Sequence, residues 1–528
     1  MQTITELTKL FTEGCISRRE FIKRASAMGL MASVSPLLMA RKSHAVPKRG
    51  GRLVLGSAGG ATTDSMDPGT VSHTMPQTVN QCLRSQLVEI NYKGEAVPDL
   101  AESWGSSPDA VTWAFKLREG LEFHNGKTVT ADDVVYSFNV HRGPDTKSAA
   151  KGIAEPIKSI KADGKYTVLF TLQEGNADFP YIASDYHISI VPEGTKGKEY
   201  EKGIGTGPFM MVDWEPGVRF FGKRNPNYFK SGRPYFDEIE ILVIEDTNAR
   251  TNAVKTGQIH VMNRCDPKTF HLLEKTPGIH TLKLEGARHY TIPMLTTIAP
   301  YDNNDVRLGL KYLIDREQMV KQILRGYGYV GNDHPIPRIN PYHAGEIPQR
   351  TYDPDKGVYH LKKAGMLNHT FSLHAAETAF PGAVDASVLI HESAAKAGVD
   401  IKVVREPDDG YWSNVWIKKE WCQCYWSGRA TADWMFSTAY TEDANWNDTL
   451  WKHDRFNELV RSARAELDQK KRREMYVECQ QIVRDDGATP VPAFAMQLSA
   501  ANDNLRFENP AANWEFDGFR IGERWWFA

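Results

Sequence analysis

The chain reads as a mixed α/β protein of more than one domain, and three observations predict this. Its 528 residues exceed the roughly 250–300 at which a single hydrophobic core stops growing. Segments with period-two alternation, such as Trp113, Phe115 and Leu117, recur between segments of helical spacing. Capping and turn residues separate the two kinds. Charge narrows the function classes. The formal net charge is −2 with acids and bases interspersed, so no polybasic footprint for nucleic acid or anionic membrane is present. No apolar run reaches the ~20 residues needed to span a bilayer. The reading is a soluble protein.

Residues 1–45 are expected to be an export signal rather than fold. Ser17-Arg18-Arg19-Glu20-Phe21-Ile22-Lys23 fits the twin-arginine motif, Ala25 to Ala40 is a mild apolar segment, and Ser43-His44-Ala45 offers a small-x-small cleavage site. Cleavage after Ala45 removes seven Lys/Arg and three Asp/Glu, taking the net charge from −2 to −6. Cys82, Cys265, Cys422, Cys424 and Cys479 remain. Their odd number and scattered positions suit buried thiols; the one-residue spacer at Cys422/Cys424 suits neither a relaxed disulfide nor zinc, and one long-range pair stays open.

Taken in order, Gly51 to Gly56 begins the mature fold as a strand, and Gly-rich and Asp-Pro turns follow through Pro68. Leu83 to Ile90 reads as helical, then extended. Trp113 to Leu117 is a strand, Asn125-Gly126 a turn, and Thr130 a helix cap with Asp132 and Asp133 in the positive first turn. Asn304-Asp305 opens another helix. Asp315 with Gln318 predicts a capping box, with Ile314 and Met319 as its hydrophobic staple. Asp468 to Gly487 reads as a late amphipathic helix capped at both ends. Gly217 to Lys223 has phosphate-loop spacing, but Arg224 stands where Ser/Thr is needed and Asn225-Pro226 blocks the following helix. It is a chance match in a strand. No zinc-protease or Gly-x-Ser-x-Gly motif occurs.

Val97-Pro98-Asp99-Leu100-Ala101-Glu102-Ser103-Trp104, then Trp113 to Gly126 and Val129 to Phe138, resemble the signature region of bacterial extracytoplasmic solute-binding proteins of family 5. These receptors serve ABC importers of peptides, nickel chelates and opines. Gly203-Ile204-Gly205-Thr206-Gly207-Pro208-Phe209, Arg224 to Phe229, Phe236 to Ile241 and Ala253 to Val261 continue the match in order. The resemblance implies an α/β, two-lobed periplasmic-binding-protein fold of the large-ligand cluster, with an extra domain inserted in the first lobe. Domain I would hold residues 46–92, 204–285 and 505–528, domain II 93–203, and domain III 286–504. Two crossings between the lobes would act as the hinge. It further implies a periplasmic monomer that hands a small solute to a membrane permease and ATPase, with no catalysis and no cofactor. The twin-arginine translocase would be its partner during export. Alternatives are a nickel- or haem-chelate receptor and, from another class, an exported enzyme.

Trp421 to Phe436 is the candidate site. Trp421 to Trp426 alternates as a strand covered on both faces, Ser427-Gly428 breaks it, and Arg429 follows in a loop closed by Trp434 and Phe436. Peptide-binding members of the family resemble this chain at Trp426-Ser427-Gly428, and an acid commonly follows there to hold the ligand's amine. Here it is Arg429, whose planar fork suits carboxylate or phosphate. Two readings stand: Arg429 docks an anionic solute, or it pairs internally with Asp433. Tyr425, Trp426, Trp434 and Trp412 are candidate aromatic walls, with Asp433 a substitute amine anchor. On the other lobe, the segment from Ser57 to Asp64 is expected to approach ligand with its backbone at Gly59 and Gly60. His289, His334 and His343 are candidates for meeting a metal chelate; the other reading is surface or satisfied core histidines.

Overall fold

Two long antiparallel strands, Ile279–Thr291 and Ala493–Asn502, run through the middle of a nine-stranded sheet. The computed structural model describes residues 47–528 except 72, 408–410 and 445. The expected signal and its cleavage site at Ala45 lie outside the described residues. The long strands pair in register from Ile279 with Asn502 to Glu285 with Met496, then slip, and resume at His289 with Phe494. On one side of the slip they join Val261–Met262, Arg52–Ser57, Glu238–Val243, Arg219–Arg224 and Phe209–Glu215. On the other they take up Gly328–Val330 and Cys424–Trp426. The slip falls at Gly286-Ala287-Arg288, a bulge that re-aims the strand. Along Ala493–Asn502, Ala495 pairs with Gly328 and Met496 with Glu285. Strand Ala493–Asn502 runs unbroken from one half of the sheet to the other.

Each half has its own core. Leu53 and Leu55, pointing off the parallel strand Arg52–Ser57, pack with Phe209, Ile239 and Trp525. Beyond the slip, Trp421, Trp426, Phe436 and Tyr476 share a second cluster. A separate four-stranded antiparallel sheet (Ala101–Ser106, Thr112–Leu117, Thr167–Leu172, Ile157–Ala162) falls in sequence between strands of the large one. Its aromatic core includes Phe115, Phe138, Phe170 and Phe179, with Phe138 and Phe170 4.8 Å apart edge to face.

Most local expectations hold. Thr130 and Asp133 form a reciprocal capping box on helix Ala131–Val140. Asp468 accepts from the Lys470 and Lys471 amides to start Gln469–Asp485. Asp315 caps Arg316–Gln318, but only half of its box forms, since the Gln318 side chain accepts from Gln322 instead. Residues 219–223 lie in strand Arg219–Arg224, as the chance-match reading requires. The five cysteines among the described residues are free and buried. Two expectations are corrected. The helix before Val88–Ile90 spans Thr74–Leu83, earlier than Leu83 to Ile90, and all of it is buried. Its polar side chains find tertiary partners, such as Asn80 Nδ2 on the Tyr186 carbonyl at 2.7 Å. The loop expected at Trp434 and Phe436 is helix Ala432–Ala439, because Thr431 accepts from the Trp434 amide and Asp433 occupies the first turn.

The four-stranded region is fastened to helix Gln469–Asp485 by a buried ion pair. Arg472 meets Asp178 at 2.7 Å through both Nη1 and Nη2, with its side chain 2% and that of Asp178 5% exposed. The Ala177 amide adds a bond to the Arg464 carbonyl at 2.7 Å. Arg472→Ala strands Asp178 without its partner. It should therefore lower the unfolding free energy by about 3–5 kcal/mol, read by urea denaturation, and Arg472→Met with Asp178→Leu should recover most of the loss.

Candidate functional site

Strand Cys424–Trp426 sits at the sheet edge against His289–Thr291. Isolated bridges from Trp421 to Met294 and from Cys422 to His374 hold the residues before it. Gly428 ends the run for a spatial reason: a Cβ there would lie 1.8 Å from the Ala287 Cβ. That contact carries Arg429 past the bulge. Its Nη1 donates to the Ser427 carbonyl at 2.9 Å, and its guanidinium stands 5.8 Å from the Trp426 ring centre. Among the described residues no carboxylate lies within ion-pair distance of this half-buried cation. Asp433, the expected internal partner, is instead bound by Arg464 at 3.0 Å. Burial pulls Arg429 down from its ordinary value, while Tyr186 and Asp185, near enough to act on its charge, oppose this.

Tyr186 and Asp185 come from the segment after helix Phe179–Ile182, beyond the last strand of the four-stranded sheet. Asp185 accepts from the His187 ring and backbone. The Tyr186 ring stands edge-on to Trp514 at 5.4 Å and to Phe519 at 6.0 Å. Behind them, Phe516, Asp517, Gly518 and Phe519 all have φ between 49° and 66°, a left-handed run that costs energy at the three non-glycine positions. Asp517 secures it by accepting from the Ala511 amide, Arg524 and the Trp525 indole.

The glycine turn is engaged internally. Glu245 accepts from the Gly59 and Gly60 amides at 2.8 and 3.1 Å, and Asp64 takes the Ala61 amide and the His73 ring. The amides expected to face ligand therefore have a carboxylate already. Trp434 lies half-buried on its helix and, among the described residues, makes no ring contact with Arg429. Trp426 donates its indole N–H to Asp448 at 3.2 Å, and Trp416 donates to the same oxygen at 3.4 Å. Burial pushes Asp448 up to about 7, against the pull of the two indoles. Tyr425, on the other face of the strand, lies 5.9 Å from Trp412, with Arg288 over its ring. Sequence reasoning missed Asp185, Tyr186, Arg288, Trp446 and Trp514, which only the fold brings to this place.

The three candidate histidines lie within electrostatic reach of one another. His289 Nδ1 donates to the Ala287 carbonyl and His343 Nδ1 to the Ile336 carbonyl, while His334 and His343 rings are 5.4 Å apart. His289 and His343 each have one ring nitrogen satisfied by a backbone carbonyl, while His289 Nε2 and both His334 nitrogens are buried with no partner among the described residues. No set of three metal-binding side chains is placed to hold an ion among the described residues.

The family model for bacterial extracellular solute-binding proteins, family 5 Middle, matches residues 95–448. The chain belongs to this family. A dipeptide-binding protein of Escherichia coli (strain K12) is 25% identical over 470 residues, covering 81% of this chain and 85% of its own. The periplasmic binding protein DppA of Helicobacter pylori, solved with peptide STSA, superposes with a TM-score of 0.74 at 25% identity, over 91% of this chain and 98% of its own. AgaA of A. tumefacien R10, solved with agropinic acid, gives a TM-score of 0.73 at 22% identity, over 90% and 99%. The fold is thus the two-lobed one of family 5 receptors, whose members are solute-binding receptors rather than enzymes. No helix among the described residues is long and apolar enough to cross a membrane.

Burial lowers His141 and His289 to about 4 and His334 to about 3, from an ordinary 6.5. Between pH 6.5 and those values the unfolded chain binds the more protons. Stability therefore falls as pH drops through that window, by about 1.4 kcal/mol per pH unit for each proton. His334→Leu should flatten the decline of melting temperature between pH 6.5 and 4; an unaltered slope would remove His334 from this account.

Proposed function

We propose that this protein is the periplasmic receptor of an ABC importer that captures a peptide-like or acidic solute between its lobes and delivers it to the permease and ATPase. The observation that carries this reading is Arg429, a half-buried guanidinium whose one hydrogen bond, among the described residues, goes to its neighbour's carbonyl. An unpaired cation in a poorly hydrated place is costly unless an anion completes it. The site therefore takes the acidic end of its solute where peptide-binding relatives place an acid for an amine. The same fold holding a peptide in one solved neighbour and agropinic acid in another accords with this. Ligand contacts from both sides favour the closed form, and the importer distinguishes closed from open. Trp426, Ser427, Gly428 and Tyr425 form the wall around Arg429, with Trp412 beside Tyr425. Domain I comprises residues 46–92, 204–285 and 505–528, domain II is inserted as 93–203, and domain III holds 286–504. The protein acts as a monomer without catalysis, exported by the twin-arginine route.

A second reading, a metal-chelate receptor, draws on the open nitrogens of His289 and His334. Metal analysis and the absorption spectrum of the purified protein separate the two.

Native mass spectrometry of co-purifying solutes, followed by calorimetry with acidic peptides, their amides and agropinic acid, tests the main reading. Arg429→Ala should weaken acid-bearing solutes by about 2–5 kcal/mol; unchanged affinity would sink it. Arg18→Lys with Arg19→Lys should retain the precursor in the cytoplasm, and normal periplasmic yield would point to another export route.

A further inference from the structure

Trp446 is 49% exposed, yet the residues that follow it are buried. Asn447 Nδ2 donates to the Thr441 carbonyl at 3.2 Å and to the Trp451 carbonyl at 2.8 Å, closing the loop on itself. Asp448 is anchored beneath by the Trp426 and Trp416 indoles. The indole is therefore held out on a fixed support. Its ring centre lies 5.9 Å from that of Trp426, the ring over which the Arg429 guanidinium stands. One buried indole thus carries an unpaired cation and an exposed aromatic face together.

We infer that Trp446 is a stacking subsite for a ring on the same solute whose anionic group Arg429 holds. This rests on the reading of Arg429 as the anion anchor. An indole offers a broad apolar face with a negative quadrupole, which suits the positive C–H face of a pyranose or the edge or offset face of an aromatic ring. Aliphatic chains and small inorganic anions gain little from it. The shared chemistry is a flat or C–H-faced ring within two ring lengths of an acid. Sharing Trp426 with Arg429 favours a small amphiphilic anion over a protein partner, which would have no need of the unpaired guanidinium.

The test uses two matched probe pairs, N-benzoyl-glutamate against N-acetyl-glutamate and cellobionate against gluconate, with calorimetry on the wild type and on Trp446→Ala, Trp446→Phe and Arg429→Ala. At least one ring-bearing probe should bind tenfold or more tightly than its ringless partner. Trp446→Ala should erase that difference and Trp446→Phe should keep most of it. Which pair responds tells an aromatic ring from a sugar. The inference is overturned if neither ring-bearing probe binds, if the ring confers no advantage, or if Trp446→Ala weakens both members of a pair alike. It is also overturned if Trp446→Ala spares every probe and lowers only transport by the assembled importer, which would make Trp446 a permease contact. If Arg429→Ala spares the acids while Trp446→Ala still erases the ring advantage, the anion anchor fails and the stacking subsite survives. Unchanged melting temperatures for the Trp446 variants exclude misfolding.

Discussion

The pairing of Ile279–Thr291 with Ala493–Asn502 is the constraint from which the rest follows. Both strands belong to two halves of the sheet, which meet at the slip at Gly286-Ala287-Arg288. Backbone hydrogen bonds on each side are fixed, and the bulge leaves the intervening residues free of the ladder. Gly428 packs directly on Ala287.

Buried cations in this protein are completed in two ways: Arg84, Arg250 and Lys311 are each held by two or three backbone carbonyls, and others by acids. Arg316, Arg472 and Arg520 each meet a carboxylate within 2.7 Å. Arg429 meets none among the described residues, and the acid nearest in chain, Asp433, serves Arg464. A protein interior tolerates an incomplete charge where something else will complete it. The left-handed run at residues 516–519 is local strain of another sort, held in place by the bonds to Asp517.

Local signals in the sequence survive folding where the partners are neighbours. Thr130 with Asp133, Asp468 with the following amides, and the alternation of Trp113, Phe115 and Leu117 are all contacts within a few residues, so spacing reveals them. Helix Thr74–Leu83 is hidden because its polar side chains look solvent-facing until Tyr186 and Ser189 arrive to bond Asn80. The break at Ser427-Gly428 is legible, but its cause, Ala287, is far away in the chain. Whether Arg429 pairs with Asp433 could not be read locally, since Arg464 decides it from a different helix. Asp185 and Tyr186 carry no local signature at all.

The sulfur chemistry has a further consequence. All five cysteines among the described residues are free, and burial pushes each thiol above its ordinary value, away from the reactive thiolate. Among the described residues no disulfide awaits an oxidant. Thiols held so deep and protonated exchange slowly with any disulfide in their surroundings.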